Sequence, residues 1–324
     1  MTRKIAAILL ALALTFSAAE LLIRFSEPYL NDYDMEMWKY ALKLKERSSN
    51  SLLNHVHRRN ASEKLMNVEI SINSKRIRDN EFDYRKPKKT YRILALGDSL
   101  TLGWGVPFEH IYTKTLERKL NENLNNKPHY EVINAGTGNW NTVQEVQYFK
   151  TEGHKYKPDL IILQFFLNDA EPILKSQINE SSLLNRSHLV VYMYSRWLKI
   201  KSHWNAKEHY QNYYSNLYRQ DGWNQSKKAI KSLAEFSQKK NIKMILVLFP
   251  DFHELSSTDY PFKDIHKQIK NEAIKNQIEF IDLLGLFHDM NPADLIVSHQ
   301  DYHPNGRANQ MTANYLFDRI HEII

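Results

Sequence analysis

A serine ends an apolar run in "YRILALGDSLTLGWGV" (91–106), where Gly97 halts the run and Asp98 precedes Ser99. Such a serine is either a helix cap or a nucleophile. A nucleophile needs a base within hydrogen-bond reach, a group orienting that base, and donors for an oxyanion. "HQDYHPN" (299–305) offers His303 as base and Asp301 as its orienter. Two residues apart in extended chain, their side chains share a face, whereas in a helix they would point apart. Pro304 disfavours helix at His303 and so favours the extended form. Oxyanion donors are available from three places: the Ser99 backbone N–H, an N–H within "AGTGNWN" (135–141), and the side-chain amide of Asn168 in "FLND" (166–169).

These residues are useful only if the fold brings them together. From Tyr91 onward, apolar runs alternate with amphipathic stretches. The runs are "RILALG" (92–97), "YEVINAG" (130–136), "DLIILQFF" (159–166), "IKMILVLFP" (242–250) and "IEFIDLL" (278–284). Helical patterns separate them, and a last helix is expected from about Asn305 to the end. Near-continuous apolar strands alternating with helices predict a parallel sheet covered on both faces, a three-layer α/β/α architecture. Ligand sites of such sheets form at the carboxyl ends of the strands. Ser99, "GTGNWN" and Asn168 all fall just past strand ends. Residues 170–222 interrupt the rhythm with a Tyr- and Trp-rich stretch, expected to be an inserted helical hairpin. Residues 26–90 read as a polar lead-in that packs on the main unit, with "VEISIN" (68–73) its one convincing strand.

The 324-residue chain carries 44 Lys and Arg against 37 Asp and Glu, a net charge of +7. The basic residues are scattered, and no helix-turn-helix, zinc-finger or RNA-binding signature accompanies them, so no nucleic-acid partner is expected. The absence of cysteine excludes disulfides, thiolate metal sites and a cysteine nucleophile. The N-terminus begins "MTRK" and continues with an apolar run from Ile5 to Ala19. A helix of that length spans about 22 Å, short of a hydrocarbon core of about 30 Å. It suits a signal peptide, and Ser17-Ala18-Ala19 could be cleaved; continued to Phe25, it suits a retained anchor. Arg3 and Lys4 would keep the start inside and send the rest out of the cytoplasm, to the periplasm or cell surface.

Four ordered blocks also carry a family likeness. "ILALGDSLTLGWGV", "VINAGTGNWNT", "PDLIILQFFLNDA" and "DYHPN" resemble the blocks of the GDSL, or SGNH, hydrolase superfamily, and "INSKRIRDNEF" (72–82) resembles the lead-in of its exported or membrane-anchored bacterial members. The resemblance implies a flavodoxin-like α/β/α fold and ester hydrolysis or acyl transfer. By it, Ser99 is the nucleophile, His303 the base and Asp301 its support, with Asp294 a weaker candidate for that support. Asn168 is the oxyanion asparagine. The second-block glycine is displaced: its register position is Asn139, with Gly138 one residue earlier, and either N–H could serve. Phe166 stands where the third block usually has glycine.

Other signals are weaker. "GTGNWN" lacks the third glycine of a dinucleotide fingerprint. His55 with His57, and His299 with His303, have no convincing third ligand, so neither metal nor cofactor is expected. Trp104 and Trp140 flank the expected pocket and could contact substrate or pack in the core. The reading is therefore a serine esterase acting on acyl esters, above all O-acetyl groups of a carbohydrate or cell-surface glycan. Its segments are a signal or anchor at 1–25, the lead-in at 26–90 and the hydrolase domain at 91–324. An O-acyltransferase acting on a polysaccharide, a lipase or lysophospholipase, and a decayed carbohydrate-binding protein are the alternatives.

Overall fold

The computed structural model describes residues 2–30, 32–123, 128–173, 186–202, 206–255 and 259–324. The chain opens with a 29-residue helix, α1 (Thr2–Leu30). Its Arg3–Glu27 stretch is long and apolar enough to cross a membrane. Helix α2 (Tyr33–Lys43) follows, capped by Asp32, whose side chain accepts the Met35 N–H. Four short strands come next: β1 (Lys45–Arg47) pairs antiparallel with β2 (His55–His57), and β3 (Ser62–Leu65) with β4 (Val68–Ser71). The lead-in is thus more structured than its one legible strand suggested. Leu44, Leu65, Ile70 and Ile72 of this region pack with Tyr40, Leu102 and Trp104 in a small core of their own.

The main unit then follows the expected alternation. Strand β5 (Thr90–Gly97) leads into a one-turn helix α3 (Ser99–Leu102), then α4 (Tyr112–Asn123) and β6 (His129–Gly136). Helix α5 (Thr142–Thr151) and β7 (Leu160–Phe165) come next. After the insert, with α6 (His188–Ser202) and α7 (Ala206–Leu217), the chain continues as α8 (Asp221–Lys239), β8 (Lys243–Leu248), α9 (Lys263–Lys275) and β9 (Glu279–Asp282). A short α10 (Leu284–Phe287), the antiparallel pair β10 (Ile296–Ser298) and β11 (Asp301–Pro304), and α11 (Gly306–Ile320) complete it.

Strands β5 to β9 form one parallel sheet in the order β6-β5-β7-β8-β9. Successive residues of a strand face opposite layers. Ile93 and Ala95 of β5 join α4 and α11 through Tyr112, Leu116, Ala313 and Leu316. Leu94 and Leu96 join α5, α8 and α9 through Phe149, Leu233 and Ile269. Both faces of the inner strands are therefore buried, which is why β5, β7 and β8 read as near-continuous apolar runs. The order 2-1-3-4-5 is the flavodoxin-like one, and its chain reversal lies between β5 and β7. That crevice receives the loops carrying Ser99 and Asn168.

Part of the insert, at 174–185 and 203–205, lies outside the described residues. Helix α6 packs on α1 and α2, and the Glu20 carboxylate caps it by accepting the His188 and Leu189 N–H groups. Helix α7 instead packs on α8 and on the turn after β7, where Tyr214 is buried against Phe166.

Candidate active site

The site begins where β5 stops. A side chain at Gly97 would come within 2.2 Å of Thr101 Oγ1 and 2.3 Å of Gln164 Oε1. Glycine is required there for space, not for a left-handed turn. Asp98 then caps α3, its Oδ1 accepting the Leu100 N–H at 2.8 Å. Ser99 is the first residue of that helix, so its own N–H has no partner within the helix and is available to a ligand.

Ser99 Oγ lies 2.8 Å from His303 Nε2, and His303 Nδ1 lies 2.5 Å from Asp301 Oδ1. A carboxylate only accepts, so Nδ1 donates and Nε2 is left to accept the serine hydroxyl. The pair sits on β11, held extended against β10, and α11 begins only at Gly306, capped by Asn305. Asp301 is buried, which alone would raise its pKa. The charge of His303, hydrogen bonds from its ring and backbone N–H, and the Trp104 indole N–H outweigh burial and hold the carboxyl below the usual aspartate range. The indole reaches Asp301 Oδ2 at 2.7 Å. Asp294 is exposed and faces Arg307, so Asp301 alone of the two acids meets the histidine.

The loop after β6 resolves the displaced glycine. Asn139 adopts the left-handed conformation, φ 65°, and lines the cleft beside Ser99. Its N–H has no protein partner among the described residues, and its side-chain oxygen accepts Lys45 Nζ at 2.7 Å. Gly138 does not share this role, because its N–H donates to Tyr40 Oη at 2.9 Å. It is glycine because a Cβ would lie 2.7 Å from the Tyr40 ring. His55 Nε2 donates to the Gly138 carbonyl, and Tyr40 Oη meets His57 Nε2 at 2.7 Å. Burial pushes both histidines down to about 3, so they are neutral supports of this loop. Among the described residues no cluster suited to a metal ion occurs.

Asn168 lines the cleft from the turn after β7. That turn is held by Asp169, which accepts the Phe166 N–H and the Thr142 hydroxyl. The cleft, about 240 Å³, is walled by Tyr33, Phe166, Tyr210, Tyr214 and Tyr302. Neither tryptophan expected near substrate lines it. Trp104 is buried behind Asp301, and Trp140 is buried with its indole N–H on the His55 carbonyl. Tyr33, Tyr40 and Lys45 could not be picked out beforehand, since nothing in the lead-in marks which residues meet the cleft or the loop after β6.

Among solved structures the chain is similar to the lipase Lip_vut3 from a goat rumen metagenome, at 18% identity and a TM-score of 0.47, covering 70% of this chain and 95% of that one. It is similar to the acetyl xylan esterase AlAXEase at 19% identity and a TM-score of 0.45, covering 71% and 99%. The psychrotrophic esterase EstA from Pseudoalteromonas sp. matches at 14% identity and a TM-score of 0.44, covering 71% and 97%. No curated protein matches the chain in sequence. A model of the GDSL-like lipase/acylhydrolase family matches residues 95–311, a span from β5 to α11 that takes in the Ser99 turn, the loop after β6, the Asn168 turn and the Asp301–His303 strand. The chain belongs to the GDSL-like lipase/acylhydrolase family.

Proposed function

We propose that the chain is a serine esterase that removes O-acetyl groups from a carbohydrate or cell-surface glycan. It would work outside the cytoplasm, tethered through α1. The observation carrying this reading is the unbroken sequence of contacts from Ser99 Oγ through the His303 ring to Asp301.

In the proposed mechanism Ser99 Oγ attacks the acyl carbonyl while its proton passes to His303 Nε2. Asp301 stays ionised and stabilises the imidazolium that forms. The negative charge on the former carbonyl oxygen meets the Ser99 and Asn139 N–H groups and the Asn168 amide. Each such donor is worth roughly 10²–10³ in rate. Collapse of the tetrahedral intermediate expels the alcohol, which takes the proton from Nε2 and leaves an acyl-serine. Water then attacks the acyl carbon, giving one proton to Nε2, and the carboxylic acid leaves as Ser99 recovers that proton from the ring.

The small cleft supports a short acyl group, since sites for drug-sized ligands usually run roughly 300–1,000 Å³. Phe166, in place of the family's glycine, adds to that narrowing. A fluorophosphonate probe tests the reading directly. Labelling is expected at Ser99 and is expected to disappear in Ser99→Ala; a folded wild-type protein that takes no label would overturn it.

A further inference from the structure

The cleft holds a second histidine built like the first. "DFH" (251–253) repeats the pattern of "DYH" (301–303), and both triplets line the same cavity. In each, the aspartate Oδ1 accepts the backbone N–H of the histidine two residues on, at 2.9 Å for His253 and 3.1 Å for His303. The two turns are also in contact. Tyr302, the residue between Asp301 and His303, stacks on the His253 ring with centroids 3.7 Å apart and planes 13° apart.

The hydrogen bonds around His253 fix its tautomer. Tyr210 Oη lies 2.5 Å from Asp251 Oδ2 and 3.2 Å from His253 Nδ1. Burial and the neighbouring Asp251 hold the Tyr210 phenol protonated. Its one proton goes to the carboxylate, so its oxygen accepts from Nδ1–H. Nδ1 also lies 3.4 Å from Asp251 Oδ1. Nε2 is then an acceptor without a partner among the described residues, on a ring whose side chain is 44% exposed. His303 spends its Nε2 on Ser99; His253 has nothing on its own.

We infer that His253 Nε2, with the Tyr302 ring beside it, forms a subsite for a free hydroxyl on the alcohol portion of the ester. The chemistry of the walls selects the kind of alcohol. Among the described residues lining the cleft there is no lysine or arginine, so an anionic alcohol such as a phosphate-bearing headgroup would find no counter-charge. Rings from Tyr33, Tyr210, Phe252 and Tyr302 and an unpaired acceptor instead suit an uncharged polyol, which offers C–H surface and O–H donors together. This inference rests on Ser99 being the nucleophile, and it specifies which face of the cleft reads the leaving group.

Two acetate esters with the same acyl group and different alcohols test it. The full-length protein is assayed on propyl acetate and on glycerol monoacetate, and the ratio of their kcat/KM values is compared between wild type and variants. His253→Phe keeps an aromatic ring against Tyr302 and removes the acceptor. Its ratio, glycerol ester over propyl ester, is expected to fall about 3- to 10-fold, the usual worth of one uncharged hydrogen bond. His253→Gln, which can again offer an acceptor, is expected to recover part of that loss. An unchanged ratio in a His253→Phe protein that still labels at Ser99 with a fluorophosphonate would overturn the subsite. Absence of labelling in folded wild type would instead overturn the nucleophile assignment beneath it.

Discussion

The Lys45 side-chain nitrogen lies 2.7 Å from the side-chain oxygen of Asn139, tying the N-terminal segment to the loop beside Ser99. Lys45 is buried, has no carboxylate partner among the described residues, and sits 4.2 Å from the centre of the Tyr40 ring. Keeping a buried cation unpaired is costly. Lys45→Met is therefore expected to leave stability equal or higher while lowering kcat/KM roughly tenfold, since Asn139 loses its anchor and the N–H proposed as an oxyanion donor is loosened rather than removed. Thermal unfolding and steady-state kinetics on the same preparation read both signs.

Burial pushes the Lys45 ammonium down to about 7 from an ordinary 10.5. Between those values the unfolded chain binds more protons than the folded one, so this residue makes stability rise with pH from about 7 toward 10. Denaturant midpoints at pH 7 and pH 9 should show that rise in wild type. Lys45→Met should flatten it.

Trp104→Phe keeps the ring and removes the indole N–H from Asp301 Oδ2. The Asp301 carboxyl then moves up toward the ordinary range, because one of the groups holding it down is gone. The acid-side loss of kcat/KM should shift to higher pH, with a fall of about 3- to 10-fold at the optimum. A pH profile unchanged in position would remove Trp104 from the machinery around Asp301.

Tyr40→Phe strands two buried groups, the Gly138 N–H and His57 Nε2. Leaving such groups unsatisfied costs about 1–3 kcal/mol each, so equilibrium unfolding in urea should show a loss of at least that order. Activity should fall as well, since the Asn139 N–H is carried on the same loop.

Much of this was legible because burial on both faces writes a strand as an unbroken apolar run. The inner strands β5, β7 and β8 could be read that way, whereas edge strand β9, with Glu279 exposed and Asp282 half-buried, is less apolar; Pro304 pointed to the extended chain at Asp301 and His303. The N-terminal segment gave no such signal. Its strands are three or four residues long, and it buries Lys45 and His55 through hydrogen bonds to a distant loop and His57 behind Tyr40, which no periodicity encodes. Trp104 was visible as an aromatic beside the serine, but the direction of an indole N–H depends on a partner 197 residues away. The choice between Gly138 and Asn139 likewise turned on Tyr40, which occupies the N–H of one and not of the other.

Ser99 and His303 are 204 residues apart in the chain. A ribosome adding roughly 5–20 residues per second delivers the serine about 10–40 seconds before its histidine. All five strands of the sheet are made before Asp301 appears, so on the proposed mechanism a nascent or C-terminally clipped chain can hold nearly the whole scaffold and still be chemically silent. On the proposed mechanism, the hydroxyl stays an ordinary hydroxyl until Asp301 and His303 are in place, so reactivity waits for a segment made after the sheet.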